Sequence, residues 1–258
     1  MSFYEVFFDA RIKGAFAVDS DVSVMEGDTV TLHTGVQMNQ QDIMIWYFGE
    51  DRLAIINEDK QKICEDVECK ERFRDRLKLD NQTGSLTIMN ITITDSGLYK
   101  LKNTTLNTDN IFSVTVDGVS AAERDEIKRK SVKEGESVTL DTHVIKNLTD
   151  VMRWYFNDSL IAEITGDQRE ICSDVQCKER YRDRLKVNQT GSLIITNTRI
   201  TDSGEYTLQI ISSRFSIMRS FTLTVSGEYH LVIQCMFPFY FRIQFNIFRV
   251  HYIFRSTK

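Results

Sequence analysis

A long internal duplication constrains this chain more than any other feature. RLKLDNQTGSLTIMNITITDSGLYKL, Arg76 to Leu101, recurs about 107 residues later as RLKVNQTGSLIITNTRITDSGEYTL, Arg184 to Leu208. Leu77 and Leu79 alternate with charged residues, and Leu86 and Ile88 alternate with Ser and Thr. Alternation with period two marks strands that bury one face. The NQTG between them supplies a turn. A repeat of this length in 258 residues predicts two domains of about 100 residues each. Each is large enough to bury a core without metal or cofactor.

Four features coincide in order in both halves. They are EGDTVTL or EGESVTL, then Trp46 or Trp154, then Arg76 or Arg184 leading into a strand, then DSGLY or DSGEY. Together, over roughly residues 20–226, they resemble the immunoglobulin superfamily, and each half resembles a V-type domain. The fold class that this implies is all-β: two tandem immunoglobulin V-like Greek-key β-sandwiches. Residues 20–117 are the first and 131–226 the second, with residues 118–130 as a linker. In that frame Val22 and Val24 read as strand A, Val30 and Leu32 as B, Ile43–Phe48 as C, RLAIIN as C′ and IFSVTV as G. Trp46 and Trp154 are the expected buried indoles of strand C. Tyr99 and Tyr206 are the expected tyrosine corners, with hydroxyls returned to the backbone. Asp95 and Asp202 are expected to meet Arg76 and Arg184 at the base of each sandwich, with Arg74 and Arg182 as alternates. The linker run SAAERDEIKRK reads as an extended entry to the next strand, with a short helical spacer as the alternative. KERFRDR and KERYRDR read as solvated edges or as polar docking edges.

The inter-sheet disulfide of this fold joins strands B and F. Its positions here are Thr34 and Leu101 in the first half and Thr142 and Leu208 in the second, so both domains lack it. A buried threonine hydroxyl at that place needs a carbonyl acceptor. The absent bridge would have closed a loop of about 68 residues and contributed roughly 4 kcal/mol on a chain-entropy account. Each half instead carries C-x4-C, Cys64 with Cys69 and Cys172 with Cys177, between C′ and D. Local disulfides within each pair are the expectation. Free thiols are one alternative. A four-thiolate zinc site is another, and it would require the two domains to meet edge to edge. Cys235 has no partner in the repeat.

Six N-x-S/T sequons occur, at Asn81, Asn90, Asn103, Asn147, Asn157 and Asn188, where chance would give roughly two. Asn81 and Asn188 fall at the same turn of each repeat. The excess points to a glycosylated exterior protein. Residues 1–19 lack the basic start and unbroken apolar run of a secretory signal. In the tail, residues 227–258, LVIQCMFPFYF is apolar for eleven residues before Arg242, shorter than the roughly 20 a spanning helix needs. Exterior placement, at the plasma membrane or secreted, therefore rests on the resemblance and the sequons. A formal charge of −5 is unlike the basic stripe that nucleic acid selects. No P-loop, dinucleotide-binding glycine pattern or repeated nucleophile–base geometry is present, so no enzyme, cofactor or small-molecule substrate is predicted.

Alternation along strands C and F turns Ile45, Tyr47, Lys100 and Lys102 outward in the first domain, and Arg153 and Tyr155 outward in the second. The first set makes a flat, mixed apolar and basic face suited to weak recognition of another protein. The chain is similar to bony-fish immune-type receptors and to the signalling lymphocyte activation molecule adhesion family. That resemblance implies cell–cell adhesion or immune co-signalling, with another surface protein, homophilic or of the same family, as partner. A secreted binding protein or decoy is the alternative reading. A cytosolic structural protein accounts for the absent leader and bridge, but not for the sequons and cysteine pairs.

Overall fold

The computed structural model describes residues 18–39, 41–57, 60–142 and 150–227. Asn147, Cys235, the first 17 residues and the tail from Glu228 lie outside the described residues. Nine strands and one short helix form the first domain: β1 (Ser20–Met25), β2 (Thr29–Leu32), β3 (Ile43–Phe48), β4 (Asp51–Asn57), β5 (Lys60–Ile63), α1 (Val67–Phe73), β6 (Leu77–Leu79), β7 (Leu86–Ile88), β8 (Gly97–Asn103) and β9 (Thr108–Asp117). The front sheet runs β1-β9-β8-β3-β4-β5, with β1 parallel to β9. The back sheet runs β2-β7-β6. The inward alternates Met44, Trp46, Tyr99, Leu101, Phe112, Val114 and Val116 meet Val30, Leu32, Leu86 and Ile88 in one buried core. Truncating a fully buried indole in such a core costs about 3–5 kcal/mol.

The second domain repeats the plan with β10 (Arg129–Lys133), β11 (Val138–Leu140), β12 (Val151–Phe156), β13 (Ser159–Thr165), β14 (Gln168–Ile171), α3 (Val175–Tyr181), β15 (Leu185–Val187), β16 (Leu193–Ile195), β17 (Gly204–Ile211) and β18 (Phe215–Ser226). Both domains belong to one compact unit that ends at Gly227. A shared sheet joins them. β1 pairs along β9 in the front sheet, which leaves the far edge of β2 open to another strand. The first half of β18 fills it, antiparallel, with Phe215 opposite Leu32 and Ile217 opposite Val30. The second half of β18 pairs with β10. The result is a continuous order β14-β13-β12-β17-β18-β2-β7-β6.

Opposed residues in a ladder share one side of the sheet. Val30, Leu32 and Ile217 are all buried, so both cores lie on the same side of this shared sheet. The outer face of the second front sheet therefore continues into the outer face of the first domain's back sheet. The outer face of the first front sheet lies across the first domain's core from it.

Two expectations need correction. Residues 121–128 are a helix, α2 (Ala121–Lys128), not an extended entry. Ser120 caps it, accepting from the Glu123 amide at 3.2 Å, and Ile127 is buried under it. Arg124 pairs with Glu26, and Lys128 Nζ donates to the Gly27 carbonyl at 2.8 Å, so α2 packs on the β1–β2 turn. KERFRDR and KERYRDR are not plain solvated edges. Asp66 and Asp174 accept from the Cys69 and Cys177 amides at 2.8 Å and start α1 and α3, whose Phe73 and Tyr181 are buried.

Candidate recognition face

Hydrogen bonds and packing join the two sheets of each domain where a B–F disulfide is missing. Thr34 and Leu101 are both buried at the bridge positions. Thr34 Oγ donates to the Thr83 carbonyl at 2.7 Å, and Thr142 Oγ, beside buried Leu208, donates to the Thr190 carbonyl at 3.3 Å. Next to each, an indole crosses between the sheets. Trp46 Nε1 donates to the Gly84 carbonyl at 2.8 Å, and Trp154 Nε1 to the Gly191 carbonyl at 2.8 Å. These glycines end the D–E turns with φ of +70° and +87°. A Cβ on Gly84 would sit 2.6 Å from Met44 Sδ, so the turn packs on Met44 as closely as it does because no side chain stands there.

At the base of each sandwich the ion pairs assemble with the tyrosines. Arg76 makes bonds of 2.6 and 3.1 Å to the buried Asp95, and Arg184 makes bonds of 2.6 and 3.2 Å to the buried Asp202. Tyr99 Oη donates to the Asp95 carbonyl at 2.8 Å and Tyr206 Oη to the Asp202 carbonyl at 2.9 Å. Burial pushes both phenols well above their ordinary range. Arg74 and Arg182, the alternates, take positive φ at the ends of α1 and α3. Cys64 is bonded to Cys69 and Cys172 to Cys177, each bridge tying the end of β5 or β14 to the following helix. These groups tie the strands of each sandwich together.

On the outer front face of the first domain, Ile45 lies opposite Lys102 and Tyr47 opposite Lys100. All four are half-buried. The structure extends the row in both directions: Ile55 beside Ile45, Lys62 beside Ile55, and Asp109 beside Lys102. Leu98 stands 41% exposed on the same face. Sequence reasoning passed over Ile55, Lys62 and Leu98, although the alternation already used for β3 would have turned Ile55 outward in β4. Lys100 pairs with Asp109 at 3.0 Å. Glu65 bridges Lys62 at 2.8 Å and Arg52 at 3.0 Å along the rim. The Lys62 hydrogen bond holds the Glu65 carboxyl below its usual range. The equivalent face of the second domain is chemically different. Arg153 sits between Gln209 and Glu163, bonded to Glu163 at 2.6 Å, and Glu170 lies beside Glu163. That hydrogen bond raises the Arg153 guanidinium further above its ordinary value. Tyr155 Oη donates to Gln209 at 3.2 Å.

Among the described sequons, Asn157 borders the second domain's front sheet, where its Oδ1 accepts from the Glu205 amide at 3.3 Å. Asn81 and Asn188 sit in the D–E turns, Asn90 just beyond β7, and Asn157 in the turn between β12 and β13. Asn81, Asn90 and Asn157 are exposed and Asn188 is half-buried. Asn103 differs from the others in its surroundings. It is 5% exposed, and its Oδ1 accepts from the Thr105 and Leu106 amides at 3.0 Å.

The profile of the immunoglobulin V-set domain matches residues 17–117 and again residues 127–226. The chain belongs to the immunoglobulin V-set family. Among curated proteins, pregnancy-specific glycoprotein 22 of Mus musculus is 26% identical over 209 residues, covering 73% of this chain and 42% of that protein. The chain thus spans about two-fifths of the length of the curated relative it matches. Among solved structures, the two tandem V-type regions of VCBP3, a v-region-containing chitin binding protein, are 16% identical and cover 80% of this chain and 96% of that chain, with a TM-score of 0.33. Murine CEACAM1b is 19% identical and covers 79% of this chain and 96% of that chain, with a TM-score of 0.30. Both V-set copies here carry a local disulfide after β5 or β14 and no B–F disulfide, so their sheets are joined by hydrogen bonds and packing. Among the described residues, no helix is long and apolar enough to cross a membrane.

Proposed function

We propose that this tandem V-set protein works outside the cell as a receptor or adhesion molecule in immune cell contact. It recognises another surface protein through the outer front face of its first domain. One observation carries this reading: Leu98, Ile45, Tyr47, Ile55, Lys62, Lys100 and Lys102 converge on a single sheet surface that every described sequon leaves clear. Aromatic and aliphatic groups ringed by charge are the composition of a weak, specific protein interface. The two local disulfides and the exposed sequons support an exterior location. A secreted form would use the same face, since binding by the face does not depend on an anchor.

The test is a cell-binding assay with the full chain produced in a secretory host. Tyr47→Arg places a new charge at the centre of the face and should lower binding at least about tenfold with the melting temperature unchanged. Equal binding by wild type and variant would exclude this face as the contact.

A further inference from the structure

The second domain holds both sheets of the first, and it does so with different groups. The backbone of β18 extends the back sheet through β2, and the pairing runs one residue further, where the His33 amide donates to the Arg214 carbonyl at 2.8 Å. The Arg214 side chain reaches the front sheet. With the Asn110 amide in the orientation that satisfies both groups, its oxygen accepts from Arg214 Nη2 at 2.7 Å and Nη1 at 3.3 Å. The guanidinium lies 5.4 Å from the centre of the Phe112 ring, and Phe112 packs on Trp46 with centroids 5.7 Å apart. The turn that carries Arg214 is itself tied down. Ser212 Oγ accepts from the Arg214 amide at 3.3 Å and from the Phe215 amide at 3.1 Å.

This contact falls where β9 has least support. β1 pairs with β9 from Phe112 to Asp117 only, and Asp19 holds the Ile111 amide and carbonyl. Among the described residues, no strand covers the outer edge of Thr108–Asn110. An unpaired strand end opens locally at low cost. Those residues also back one end of the first domain's outer front face. Asp109 stands opposite Lys102 and pairs with Lys100 at 3.0 Å, and Asn110 stands opposite Leu101. The duplication breaks at this contact. Leu101 and Phe112 are eleven residues apart, whereas their equivalents Leu208 and Phe221 are thirteen apart. The longer second hairpin gives Arg214 its reach. Arg219, the equivalent of Asn110, is engaged by Asp28 instead.

We infer that Arg214 of the second domain is a positioning residue for the recognition face of the first. It pins the unpaired end of β9 to the seam, and so sets where Asp109, Lys100 and Lys102 stand relative to Ile45 and Tyr47. The inference rests on reading that face as the contact surface. Recognition by the first domain is then conditional on docking of the second, which acts on the partner through β9.

The experiment is amide hydrogen exchange on the intact glycosylated chain, followed by the cell-binding assay with Tyr47→Arg as reference. Arg214→Ala and Asn110→Ala should each speed exchange in a peptide spanning residues 104–110 at least about tenfold. The double variant should go no further than either single one, because all three lose the same contact. Exchange across β2 and the first half of β18 should stay at the wild-type level, since the backbone ladder is intact. Both single variants should weaken cell binding at least about threefold. Asn110→Asp keeps an acceptor for the guanidinium and should bind like wild type. Wild-type exchange over residues 104–110 in Arg214→Ala would overturn the inference. So would faster exchange spread equally over β2 and β18, which would mark general loss of the seam. Full cell binding by Arg214→Ala, where Tyr47→Arg abolishes it, would overturn the positioning role. If exchange rises as expected while Tyr47→Arg binds like wild type, the recognition reading fails and the hold of the second domain on β9 stands.

Discussion

At the scale of single residues, a threonine and a leucine stand where a disulfide usually spans the sandwich, and the indole takes over the crossing. The hydrogen bond from Trp46 to the Gly84 carbonyl requires a turn residue with φ of +70° and no Cβ. Gly84→Ala brings a methyl group to 2.6 Å from Met44 Sδ and forces alanine into the left-handed region. A loss of more than about 1 kcal/mol is expected, read by urea denaturation, and Gly191→Ala should behave alike. His33 provides a second residue-scale test. Its amide donates to the Arg214 carbonyl at 2.8 Å beside the seam, and burial holds its imidazole below the ordinary 6.5. Between the folded value and 6.5 the unfolded chain binds more protons. Stability is therefore unaffected above pH 6.5 and declines as pH falls through the folded value. A urea titration at pH 7.5 and pH 5 should show this decline, and His33→Gln should reduce it.

At the scale of elements, the seam between β2 and β18 separates this protein from two beads on a linker. Its centre is a charge pair that is out of water. Arg219, 2% exposed, makes bonds of 3.0 and 2.7 Å to Asp28, which is fully buried, and it also donates to the Thr142 carbonyl. Strand pairing, α2 and this ion pair bind the same two surfaces, so the domains should unfold together in wild type. Asp28→Asn leaves a buried guanidinium without its counter-charge, a loss of about 3–5 kcal/mol. Chemical denaturation should then show two transitions in place of one. Adding Arg219→Met removes the orphaned charge and should restore much of the loss.

At the scale of the whole molecule, glycans and faces divide the surface. Peptide mapping after glycosidase treatment should find sugar at Asn81, Asn90 and Asn157 and none at Asn103, whose side chain closes the turn after β8. Carbohydrate at Asn103 in the folded, secreted protein would contradict the placement of β8. The turns at Asn81 and Asn90 would then carry sugar away from the first domain's front face, while Asn157 would carry it at the β12–β13 turn of the second.

The sequence alone specified the strands, the two indoles, the tyrosine corners, the Arg–Asp pairs and the outward set of the first face. Each depends on contacts whose partners recur at fixed spacing in the duplication, so period-two alternation and repeat register were enough to read them. The helices were harder to read. The Ser120-x-x-Glu123 cap was a usable signal for α2, but the charged run around it concealed the single buried Ile127. Joining the domains was left to the tertiary structure. Asp28 and Arg219 lie 191 residues apart. Their trace in the sequence is a break in the repeat, with Glu136 and Asn110 at the equivalent places. A non-local ion pair and an edge-strand pairing carry no periodicity of their own. They exist once folding has brought an open β2 edge against the free half of β18.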